Sequence, residues 1–109
     1  MRTLLFAALA LAVSFPVQAG NAGKGKELVT SKACATCHGE QGNKPSAPDQ
    51  PVLAGQYNDY LVRALTDYKS GRRNNPIMKG FAGNLSKQEI EDLAAWFSSQ
   101  KATALHDQR

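Results

Sequence analysis

An all-α fold of three to five helices is what the sequence predicts, and three observations carry that expectation. No stretch alternates apolar and polar residues as a half-buried strand would. Residues 56–70 and the segment opening at Ser86 repeat apolar side chains at helical spacing. Residues 39–55 hold Gly39, Gly42, Pro45, Pro48, Pro51 and Gly55, too many breakers for any regular element.

The first helix is expected over residues 25–33, with Leu28 and Val29 inward, running into Cys34-Ala35-Thr36-Cys37-His38. Residues 39–55 follow as a loop, and a loop of that length needs something to pack on. From 56 to 70, Tyr57, Tyr60, Leu61, Ala64, Leu65 and Tyr68 form the inner stripe, with Asp59, Arg63 and Asp67 outward. Gly71 is the stop. Asn74-Asn75-Pro76-Ile77-Met78-Lys79-Gly80 reads as a loop, because Pro and Gly interrupt helices. The last helix opens with a capping box, Ser86-Lys87-Gln88-Glu89, and buries Ile90, Leu93, Ala94 and Phe97 with Trp96 flanking.

At 109 residues and 11.7 kDa there is room for one small domain. Residues 1–19 read as an export signal: Arg2, an apolar run over 4–15, then Val17-Gln18-Ala19 at a cleavage site. The run is shorter than the roughly 20 residues a bilayer span requires. The expected domain is 20–109, placed in the periplasm. Removing Arg2 leaves 12 Lys and Arg against 9 acids, so the mature charge is about +3. That is too mild for a dedicated nucleic-acid binder. A partner with an acidic face fits it.

A 90-residue exported domain needs a staple. Cys34 and Cys37 stand three apart, so a disulfide between them would close a tiny loop and brace little. Local chemistry is the better use. On a helix, positions i, i+3 and i+4 share a face, which brings two sulfurs and the His38 imidazole together. Two thiols so spaced can bond the two vinyl groups of one haem while the histidine binds its iron, the c-type attachment. A thioredoxin-like pair would need a sheet, a zinc site a fourth ligand. A chance motif without cofactor is the remaining alternative.

A histidine-bound iron has a sixth position, which a soft thioether commonly fills in electron carriers. Met1 leaves with the signal, so Met78 is the only candidate in the mature chain. A gap-filling core methionine is the bland alternative. His106, in a polar tail, is the rival ligand.

Cys34-Ala35-Thr36-Cys37-His38-Gly39, Pro51-Val52-Leu53-Ala54-Gly55-Gln56, Lys69-Ser70-Gly71-Arg72, Met78 and Asp92-Leu93-Ala94-Ala95-Trp96-Phe97 occur in an order that names a family. The chain resembles a bacterial class I cytochrome c, and one half of the tandem di-haem cytochromes c. The resemblance implies an α fold whose first and last helices cross beside one covalently bound haem c. It also implies that the Pro51 carbonyl accepts a hydrogen bond from the iron-bound His38, fixing its tautomer. Cofactor-binding residues would be Cys34, Cys37, His38, Pro51 and Met78, with His38 and Met78 on the iron.

The function so implied is one-electron transfer between redox protein partners, without catalysis. Lys69, Arg72, Arg73, Lys79 and Lys87 fall in residues 68–88 with no acid among them, a face suited to an acidic partner. The alternatives are a sensor or peroxidase-like haem with a labile distal Met78, and a subunit of a larger redox complex.

Overall fold

The computed structural model describes residues 3, 5, 7–12 and 20–101. Five helices and no strand occur among them: α1 Ala22–Ser31, α2 Cys34–His38, α3 Asn58–Ser70, α4 Pro76–Ala82 and α5 Lys87–Ser98. The all-α expectation holds, and the sheet that a thioredoxin-like pair needs is missing from the described residues. Most of the expected 1–19 leader, and His106, lie outside them.

Helix α1 starts three residues before the expected Gly25, because Asn21 caps it by accepting from Lys24 N at 3.0 Å. It stops at Ser31. Ala33 then takes φ 60°, the left-handed region, and the turn separates α2 from α1 as its own element.

Helices α1 and α5 cross at close range. A Cβ on Gly25 would fall 2.0 Å from the Asp92 carbonyl oxygen and 2.8 Å from Trp96 Cβ, so only glycine lets the backbones approach. Beside the crossing, the Asp92 carboxylate is 3% exposed. It accepts from Asn21 N at 2.8 Å and Gln88 Nε2 at 2.9 Å, which satisfies a group that burial alone would penalise. Val29, Leu61, Ala82, Leu85, Ile90, Leu93, Ala94 and Phe97 form the core cluster. The predicted α5 stripe is buried in full, and both halves of its capping box are made.

The irregular segment expected over 39–55 runs on to residue 57 and is tied to α5 at several points. Trp96 Nε1 donates to the Glu40 carbonyl at 2.8 Å, and Gly55 N to the Phe97 carbonyl at 2.9 Å. Gly42, at φ +76°, accepts from Leu53 N and Ala54 N. A Cβ there would lie 2.7 Å from the Phe97 ring.

Helix α3 begins at Asn58, two residues later than expected, and ends at Ser70 with Gly71 at φ +82°. Its inner stripe is narrower than the spacing suggests. Leu61 is buried and Leu65 and Tyr68 pack on the core, but Tyr57 and Tyr60 are 70% and 47% exposed. Val62 takes part in the packing instead, and Asp67, expected outward, is half-buried.

The clearest correction concerns residues 74–80. Proline and glycine there predict a loop, yet Pro76–Ala82 is helical. Proline at the first helical position removes a donor that has no partner there anyway, and Asn75 caps the turn. Together they start a helix where breakers alone suggest none.

Candidate functional site

Four elements and the 39–57 segment enclose one cavity of about 380 Å3. Helix α2 contributes Cys34, Cys37 and His38, and α4 contributes Ile77, Met78 and Phe81. Apolar side chains of α3 and α5, among them Leu61, Leu65, Leu93 and Phe97, complete most of the lining. Asp49, Gln50, Arg73 and Asn75 supply a polar part. All five residues named from the sequence line this cavity: Cys34, Cys37, His38, Pro51 and Met78. A second, more open depression on α3, bordered by Asp59, Arg63, Asp67, Arg72 and Glu91, holds none of them.

His38 is 7% exposed, and its Nδ1 lies 3.0 Å from the Pro51 carbonyl oxygen, the contact that the family resemblance implies. A carbonyl can only accept, so Nδ1 carries the hydrogen, and in the neutral ring the lone pair is on Nε2. The ring is thereby fixed in orientation and in tautomer. Cys34 and Cys37 are half-buried thiols without a disulfide. Burial pushes the Cys34 thiol above its ordinary range, opposed by its own backbone hydrogen bond and reinforced by neighbouring Cys37. It therefore stays protonated at neutral pH.

Met78 sits in the third position of α4, where its backbone N–H donates to Asn75 Oδ1 at 3.1 Å. Arg73 is the only cation lining the cavity among the described residues. Its guanidinium lies 4.9 Å from the Tyr68 ring centre and donates to the Tyr60 hydroxyl at 3.4 Å. Lys69 Nζ donates to the Leu85 carbonyl, tying the end of α3 to the chain that leaves α4.

Asn75 is a cavity residue that the sequence does not single out, and Arg73 stands in the sequence only as one of five cations in residues 68–88, any of which could balance a haem propionate. The dipeptide Asn75-Pro76 was the available signal, since a capping side chain followed by proline marks a helix start. Arg73 left no comparable signal. It reaches the cavity through the left-handed turn at Gly71, and nothing in local spacing reveals where that turn leads.

The donor set fits a covalently held haem. Two thiols and an imidazole come from one short helix, a thioether from another, and the intervening lining is mainly apolar, as a porphyrin's faces require. These features define a c-type haem domain. The family model for cytochrome c matches residues 22–101, and the chain belongs to the cytochrome c family. One covalently bound haem c per domain is the cofactor of that family, and Cys34, Cys37 and His38 form its attachment motif.

Cytochrome c4 of Pseudomonas aeruginosa is 45% identical over 83 residues, which cover 76% of this chain and 40% of the relative. The thiosulfate dehydrogenase electron acceptor of Stutzerimonas stutzeri is 37% identical over 97 residues, covering 85% of this chain and 45% of that one. The crystal structure of reduced recombinant cytochrome c4 from Pseudomonas stutzeri superposes with a TM-score of 0.69 at 42% identity, over 76% of this chain and 47% of that chain. This chain spans less than half the length of these relatives, and it matches one domain of a tandem di-haem cytochrome.

Proposed function

We propose that the domain is an exported, periplasmic single-haem carrier whose iron is held between His38 Nε2 and Met78 Sδ. The observation that carries this is the 3.0 Å contact from His38 Nδ1 to the Pro51 carbonyl, in a cavity that Met78 also lines. When bound, the haem supplies a one-electron Fe(III)/Fe(II) couple whose potential thioether ligation and burial raise.

The chain's own residues supply the rest. Cys34 Sγ and Cys37 Sγ hold the group through thioether bonds. Pro51 orients the proximal ring, and a ligand so fixed does not reorganise when the charge changes. Leu61, Leu65, Leu93 and Phe97 give the cavity an apolar lining that suits a porphyrin's faces. Arg73 gives a carboxylate-bearing edge of the group a cation to face. His38 and Met78 would both hold the iron and would leave small oxidants no open site, which favours a carrier over the sensor or peroxidase alternative.

The partners are redox proteins, and an acidic docking surface fits the cations of residues 68–88. Lys69 and Arg73 are engaged within the domain, which leaves Arg72, Lys79 and Lys87 exposed to meet such a surface. No helix among the described residues is long and apolar enough to cross a membrane.

The test is the ferric absorbance spectrum of holoprotein made in cells that attach haem c. Wild type should show the weak far-red band of an iron–thioether bond, and Met78→Ala should lose it and its low-spin character. An identical spectrum in the two proteins would put the sixth ligand elsewhere.

A further inference from the structure

Helix α4 has seven residues, far below the length at which a helix sustains itself in water. Among the helices it packs on α3 alone. Ala82 is its single fully buried residue, while Ile77 and Phe81 are 69% and 43% exposed. Something other than core packing must hold its first turn, the turn that carries Met78.

Asn75 does this almost unaided. Its Oδ1 accepts from Ile77 N and from Met78 N, each at 3.1 Å, and its carbonyl accepts from Lys79 N at 2.8 Å. Pro76, between them, has no N–H to satisfy. Every backbone donor from residue 76 to 79 is thus absent or bonded to Asn75. The same residue lines the cavity beside Met78.

We propose that Asn75 is a positioning residue for Met78: by capping α4 at the amide of Met78 itself, it sets how often the sixth iron position opens to an outside ligand. The inference rests on Met78 being that ligand. An outside ligand binds only the open state, so its apparent affinity scales with the fraction of molecules in which α4 has let go. Loss of a side-chain cap raises that fraction about fivefold.

Ferric holoprotein titrated with imidazole, followed by loss of the iron–thioether band, reads this directly. Asn75→Ala should bind imidazole about fivefold more tightly than wild type, and amide hydrogen exchange in α4 should quicken by a similar factor. Asn75→Ser and Asn75→Asp, which keep a capping oxygen, should stay near wild type. Ser86→Ala removes the same kind of cap from α5, so it should lower the thermal midpoint yet leave imidazole affinity unchanged.

Unchanged affinity in Asn75→Ala, or an equal change in Ser86→Ala, overturns the positioning role while the Met78 ligation stands. A wild-type protein with no thioether band overturns both.

Discussion

Helix α4 lines the haem site and the α1–α5 crossing stands behind it, with only α5 contributing Leu93 and Phe97 to the lining, and the two regions are built on opposite principles. At the crossing, two backbones meet where Gly25 leaves no room for a side chain, and a buried carboxylate beside them accepts two hydrogen bonds on one oxygen. At α4, one asparagine and one buried alanine hold a short helix with much of its apolar surface outside the core. The first region resists every change because it has no slack. The second tolerates change but transmits it to the iron ligand. A small haem protein can in this way keep a stiff frame and still carry one ligand on a weakly held arm.

The largest effect that would break this contrast is at the crossing. Gly25→Ala places a methyl group where the Asp92 carbonyl oxygen lies 2.0 Å away, and should cost about 3 kcal/mol or more by forcing the helices apart. Denaturant unfolding measures it. A loss under 1 kcal/mol would show that the crossing yields as readily as α4.

Asp92→Ala should come next, at about 1 to 3 kcal/mol, because Asn21 N would lose its buried acceptor. Its spectrum should keep the thioether band, since Asp92 is not among the cavity residues. A shifted band would mean that frame and ligand arm are coupled after all.

The smallest effect is set by pH. The Glu89 carboxyl is held below its ordinary range, chiefly by the Ser86 backbone N–H and also by Lys32, against a modest opposing effect of burial. A lowered folded-state pKa gives stability that is complete above the unfolded carboxylate pKa and disappears as pH falls through the folded value. Glu89 is largely solvated, so the contribution is small. Glu89→Gln keeps a capping amide but cannot titrate, and thermal unfolding between pH 3 and about 6 should show a flatter acid limb than wild type. Identical limbs would remove the charge from the account.

Much of the site was legible because its chemistry is local. Cys34, Cys37 and His38 lie within five residues, and Met78 is reached by counting thioethers. Helix α5 was legible in detail, since a capping box and an unbroken apolar stripe agree with each other. What escaped reading depends on tertiary contact or on position within an element. Pro76 looks like a breaker until it is placed at the first turn of α4, where it favours the helix. Gly25 looks like a helix start until α5 is laid against it. Tyr57 and Tyr60 obey the apolar spacing of α3, yet the core does not extend to that end of the helix, so they remain outside.

Gly42 is not among the residues that line the cavity, but it controls the room inside. Its bare α-carbon lets the Phe97 ring settle against the 39–57 segment, and its carbonyl gathers the amides of Leu53 and Ala54. Phe97 and Leu53 are themselves part of the lining. Any side chain grown at position 42 would therefore have to displace Phe97 or Leu53, so the shape of the wall that a porphyrin would meet is set in part from behind it.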